Sequence, residues 1–207
     1  MKIGNLSRGG KSRQEVKADD HDFGVKDTVT PVGIYEPKEK DLFFYMVRSK
    51  VTSDCCVDII NGWWQSNQYQ HPTVKKLVIN LDNGPDQNSY RTQFIKRIQE
   101  FSDQTKLQVH LAYYPPYHSK YNPVERTFGT LEQYWSGAIL DTEEAVVKYA
   151  ESMKFAEKHP VVSVIKTAYQ NGVKVSKKIM GKIHAGLQRT KGIEKYSVLV
   201  KPRLDSG

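Results

Sequence analysis

The 207-residue chain has only two cysteines, Cys55 and Cys56, and they are adjacent. They form no CxxC pair and no disulfide framework, so the plain reading is two small buried side chains in a helix. The six histidines are scattered without metal-ligand spacing, so no zinc is assigned. No apolar run approaches the roughly 20 residues that cross a bilayer. The longest, Leu42-Phe43-Phe44-Tyr45-Met46-Val47, is strand-sized. The basic N-terminus does not lead into the apolar core of a signal peptide. A cytoplasmic protein with no membrane partner is expected. There is no internal repeat and no low-complexity segment.

Acidic residues are scarce in one region only. Residues 161–207 hold ten Lys or Arg against Glu194 and Asp205, while the remainder holds 21 of each sign. The net charge of +8 therefore sits in the last 47 positions. A basic segment on an otherwise neutral domain suggests attraction to phosphate backbones; a solvated tail is the plainer alternative. A hydrophobic content of 38% at this length allows a real core in a single domain.

What is there is organised around residues 76–125. Leu77-Val78-Ile79-Asn80-Leu81-Asp82 is an apolar run ending on a carboxylate. Such a run reads as a strand buried on both faces, with Asp82 where it leaves the core. In open α/β sheets that C-terminal edge is where ligands bind. At the other end, Asn122 suits an N-cap and Pro123 the first helical position. Val124, Phe128, Leu131 and Trp135 then recur at helical spacing. Glu125 lies beside that stripe. Two carboxylates at one sheet edge are what divalent-metal phosphoryl chemistry requires, because Mg2+ takes hard oxygen ligands. Taken singly, Asp82 is also explained as a turn residue in Asp82-Asn83-Gly84-Pro85-Asp86, and Glu125 as the Glu of a capping box.

The rest of the chain supplies a mixed sheet with helices on it. Val32–Glu36 and Leu42–Arg48 form a hairpin across Pro37-Lys38-Glu39-Lys40. Thr52 or Ser53 caps a helix bearing Cys56, Ile60 and Trp63 on one face. Gln87–Thr105 reads as a helix with Tyr90, Phe94, Ile98 and Phe101 inward, and Leu107–Ala112 as a strand. Thr142–Lys154 is a helix with Ala145, Val146 and Tyr149 inward. Val161–Tyr169 is a helix or strand of the covering layer. Ser176 caps a helix carrying Ile179, Met180, Ile183 and Leu187. Tyr196–Val200 is a short terminal strand.

The Asp82 strand, the following helix and the string Pro115-Pro116-Tyr117-His118-Ser119-Lys120-Tyr121-Asn122-Pro123-Val124-Glu125 resemble the DDE-type transposases of bacterial insertion sequences, closest to the ISAzo-type family. Lys2–Gly10, His21-Asp22-Phe23 and Tyr196–Val200 extend the resemblance over nearly the whole chain. It implies an α/β, RNase H-like fold, a Mg2+ or Mn2+ cofactor, DNA as partner, and an Asp-Asp-Glu triad. Asp82 matches the second member and Glu125 the third, 43 positions later. The family's first Asp lies on a strand just upstream of Lys2-Ile3-Gly4-Asn5. No residue here matches it, so the expectation is an RNase H-like sheet lacking its first strand and a chain inactive in this form. Residues 1–160 are then an N-terminally truncated DDE catalytic domain, and 161–207 a basic C-terminal extension of it.

Candidate DNA contacts are Arg8, His118, Lys120, Arg126, Lys177 and Lys178, and the resemblance leaves room for a homo-oligomer on DNA. Two alternatives stand beside this reading. One is a DNA-binding remnant without activity. The other is a metal-dependent nuclease of the same fold that uses Asp20 or Asp22, although Arg13–Ala18 is too polar for the strand such an Asp must end.

Overall fold

The computed structural model describes residues 28–115, 121–138, 140 and 142–203. In chain order its elements are β1 (Thr30–Glu36), β2 (Asp41–Val47), α1 (Ser53–Asn67), β3 (Lys76–Leu81), α2 (Thr92–Thr105), β4 (Gln108–Tyr113), α3 (Pro123–Trp135), α4 (Glu143–Ser152), β5 (Val161–Ile165), α5 (Lys177–His184), β6 (Leu187–Arg189) and β7 (Ser197–Val200). They divide into two compact units, 28–50 with 123–168, and 51–122 with 169–203.

The first unit is a three-stranded sheet in the order β1-β2-β5. The β1–β2 hairpin is antiparallel, and β5 lies parallel to β2. As the middle strand, β2 buries Leu42, Phe44, Met46 and Val47 almost completely. Leu131 and Trp135 of α3 and Val146 and Ala150 of α4 complete that core. Thr142 caps α4, its hydroxyl accepting from the Ala145 N–H at 3.1 Å, which satisfies one of the helix's free donors. At Gly33 of β1 an added Cβ would stand 3.0 Å from Val124 Cγ2 and 3.2 Å from Phe128 Cζ. The absent side chain is what lets the first turns of α3, and with them Glu125, lie against β1.

The second unit is a four-stranded sheet in the order β3-β4-β7-β6. β3 and β4 are parallel; β7 runs antiparallel to β4, and β6 to β7. Residues 161–207 therefore supply β5 to one sheet and β6 and β7 to the other. Helix α2 packs on β4 and β7, and α1 and α5 pack on α2. Phe94, Ile95, Ile98 and Phe101 of α2 are buried. Arg97 crosses to α1, donating to Asp54 at 2.7 Å and to Asp58 at 2.6 Å. Burial opposes its charge, but the hydrogen bonds and fields of the two carboxylates outweigh it and raise the guanidinium's affinity for its proton. Cys55 and Cys56 lie in α1 as free, buried thiols, and burial first of all pushes them up to about 11 and about 12. Trp63 and Trp64 are core residues.

Several expectations are corrected. β3 is not buried on both faces: its burial alternates and Val78 is 51% exposed, so one face of the sheet is left open at this strand, which also ends its sheet among the described residues. The second helix begins at Thr92, not Gln87. Tyr90 lies outside it and is exposed, as is Tyr149 on α4. The Ser176-capped helix ends at His184, leaving Ile179 exposed and placing Leu187 in β6. Val161–Ile165 is a strand.

Candidate active site

Asp82 follows the last residue of β3, where the strand is still tied to its parallel neighbour. Leu81 is in register with Tyr113, and the Tyr114 N–H donates to the Leu81 carbonyl at 2.9 Å. The carboxylate is exposed. Its Oδ1 accepts the Gly84 N–H at 3.3 Å and an N–H of the Gln87 carboxamide. The first bond is the Asx-type closure that a turn-forming Asp makes. Both donors use the same oxygen, so Oδ2 has no partner among the described residues. The turn role and a ligand role therefore use different atoms of one side chain.

The segment from Asp82 to Arg91 is pinned from three elements of its own unit. The Tyr113 hydroxyl, at the end of β4, donates to the Gln87 carbonyl at 2.9 Å. Burial raises that phenol well above its usual range, which keeps it a donor at any working pH. Ser53, opening α1, donates to the Asp86 carbonyl at 2.6 Å. Arg189 of β6 donates to the Ser89 carbonyl at 2.6 Å and covers the Tyr90 ring at 4.5 Å, a cation–π contact. Not every polar atom of the segment is satisfied: the Asn83 side-chain oxygen and nitrogen, Ser89 Oγ and Arg91 Nε are buried without a hydrogen-bond partner among the described residues.

Glu125 belongs to the other unit, in the first turn of α3. The helix orients it: Leu131 and Trp135 are buried and Phe128 packs on the core, leaving Glu125 and Arg126 exposed. The Glu125 carboxylate has no hydrogen bond or ion pair among the described residues, so it does not close a capping box there. A negative charge in a first turn is nonetheless favoured by the helix dipole. Lys177 and Lys178 open α5 and are exposed. Arg8, His118, Lys120, Asp20 and Asp22 lie outside the described residues.

Among the described residues no group of three or more His, Cys, Asp and Glu could together hold a metal ion. The chemistry of the donors still fits a hard cation. Asp82 Oδ2 in one unit and the Glu125 carboxylate in the other each offer oxygens without a described partner, the donor type that Mg2+ takes along with water and phosphate. Sequence reasoning missed Gln87 and Arg189 as parts of the site. The signal for Gln87 was the turn-rich run continuing through Asn88-Ser89; Arg189 had none, because it reaches Ser89 across 100 positions of chain.

The framework is α/β, with mixed sheets flanked by helices, and it carries Asp82 at a strand end and Glu125 at a helix start. The family model of the Rhodopirellula transposase DDE domain matches residues 1–202, nearly the whole chain, and the protein belongs to that family. No curated protein and no solved structure matches it. The fold is consistent with the RNase H-like architecture that the family implies, and no described helix is long and apolar enough to cross a membrane.

Proposed function

We propose that the chain is the catalytic region of an insertion-sequence transposase that cleaves and joins DNA strands with Mg2+ or Mn2+. The observation that carries this is the family match over residues 1–202. Asp82 and Glu125 are its metal ligands, and their exposed, unshared oxygens support the assignment. A divalent ion bound there would stabilise the charge that develops on the phosphodiester oxygens. The chain's own contribution is to present the two carboxylates and to keep the DNA backbone in place. Arg126, Lys177 and Lys178 are suited to the second task, since each is exposed and without a described acidic partner. Arg8, His118 and Lys120 are proposed as further contacts. Duplex affinity should accordingly fall steeply with salt, because releasing counterions into a more concentrated solution gains less entropy.

The test is metal-dependent nicking of supercoiled plasmid by a transposase that contains these residues. Asp82→Asn and Glu125→Gln should each lower the rate by roughly a hundredfold or more, the cost that a misplacement of about 1 Å already carries. Rates within about threefold of the parent would remove both residues from the chemistry.

A further inference from the structure

We propose that Gln87 is a positioning residue for Asp82: its carboxamide fixes one carboxylate oxygen so that the other alone faces a divalent cation. The inference rests on the assignment of Asp82 as a metal ligand and adds the group that orients it.

An exposed Asp at a strand end is free to turn about both of its side-chain bonds. Here two donors converge on Oδ1, the Gly84 N–H and the Gln87 side chain, and Oδ2 is left unshared among the described residues. The Gly84 bond is local and weak at 3.3 Å. Gly84 also has no side chain to obstruct it, since a Cβ there would come within 3.3 Å of Asp82 Oδ1. Gln87 is the stronger restraint because its own backbone is held. Its N–H donates to the Gly84 carbonyl at 3.3 Å, and its carbonyl accepts the Tyr113 hydroxyl at 2.9 Å. Tyr113 is buried, and its N–H donates to the Tyr196 carbonyl at 2.8 Å. A continuous chain of bonds thus runs from the middle of the sheet through Tyr113 and Gln87 to the carboxylate.

The chemistry needs such a group. Mg2+ demands near-ideal octahedral geometry, and a carboxylate that presents one oxygen leaves the other positions to water and phosphate. Groups that hydrogen-bond to a ligand's second atom fix its direction, and their loss costs about 10- to 100-fold in metal affinity. Gln is suited to the task as a neutral donor. A carboxylate at position 87 would repel Asp82, and a cation would compete with the metal for it.

The experiment measures Mn2+ binding to the 207-residue chain by the relaxation of solvent water protons. It compares the wild type, Gln87→Met, Asp82→Asn and the double variant, with circular dichroism as the check on folding. Gln87→Met keeps the length of the side chain and removes the donor. We expect it to weaken Mn2+ binding about 10- to 100-fold, and to have no further effect once Asp82 is Asn. Tyr113→Phe, which removes only the hydroxyl behind Gln87, should give a smaller loss in the same direction and serves if Gln87→Met folds poorly. Mn2+ binding that Asp82→Asn abolishes but Gln87→Met leaves within twofold would overturn the positioning role alone. An equal loss from Gln87→Met with and without Asp82 would overturn it too, by showing an effect that does not pass through the carboxylate. Absence of any Asp82-dependent binding in the wild type would instead overturn the metal assignment on which the role depends.

Discussion

In the unit that carries Glu125, α3 meets the sheet through apolar packing, and the unit's polar ties, Lys158 to Asp41 and Arg48 to Glu143, lie elsewhere. Phe44 and Met46 of β2 lie fully buried in one core with Leu131 and Trp135 of α3, and the rings of Phe44 and Phe128 meet tilted, with centroids 5.7 Å apart. In the unit that carries Asp82, a comparable apolar core is laced with polar ties: Arg97 to Asp54 and Asp58, Gln99 to the Lys201 carbonyl, Arg203 to Asp103. The two carboxylates inherit the difference. Glu125 is aimed by the rotation of a helix whose far face is buried, and it has no described hydrogen bond or ion pair. Asp82 is aimed by hydrogen bonds in a turn segment that three elements hold. A helix supplies direction through its period alone, whereas a loop needs its bonds made one by one.

The largest effect is expected in the first unit's core. Phe44→Ala should destabilise the protein by about 3–5 kcal/mol, the range for removing a fully buried aromatic side chain, as read from chemical denaturation. A cost under about 1 kcal/mol would mean that the α3–sheet packing is not what holds Glu125's helix.

A smaller effect separates the carboxylates themselves. Asp82→Ala deletes the acceptor of two hydrogen bonds and should cost about 1 kcal/mol, moderated because water can reach the freed donors. Glu125→Ala removes a side chain with no described partner. It forfeits only the dipole interaction of a first-turn acid, about 0.5 kcal/mol, against which the better helix propensity of Ala acts. Denaturation midpoints in metal-free buffer check this, and equal costs would erase the distinction drawn between the two sites.

The parts of this arrangement that could be read from sequence are those set by local rules. The hairpin follows from two β-rich runs around Pro37-Lys38-Glu39-Lys40, and α3 from the spacing Val124, Phe128, Leu131, Trp135. Asp82 stands at a strand end because an apolar run stops there. What could not be read depends on neighbours distant in sequence. The burial of β3 is decided by what packs on each face of its sheet, and its own residues do not encode that. Tyr90 continues the period of Phe94, Ile98 and Phe101, yet turn bonds through Asn88 and the Arg189 contact from β6 keep it out of α2. β6 itself is three residues long, too short to carry a pattern. Gln87, the closest partner of the Asp82 carboxylate, was hidden by the same extension of the helix.

The finest test addresses the polar ties of the second unit through pH. Asp103, near the end of α2, accepts the Arg203 backbone N–H at 2.7 Å and its Nε at 2.8 Å, fastening the chain just beyond β7. Burial alone would raise its carboxyl, but the Arg203 hydrogen bonds, then that of Gln99, outweigh burial and hold it below the ordinary 3.8. A carboxyl depressed in the folded state contributes stability that is fully present above its unfolded value and is lost as pH falls through its folded value. Arg203→Ala removes the guanidinium and leaves the backbone bond. The pair is largely solvated, so the cost at pH 7 should be modest, about 0.5 kcal/mol. That difference should hold down to about pH 4 and then shrink, with the two proteins converging once Asp103 is protonated in both. Urea denaturation of each protein from pH 7 to pH 2 reads it directly. A difference that stays constant through the acid range would assign the loss to the packing of the Arg203 stem and take the charge pair out of the account of what holds the second unit together.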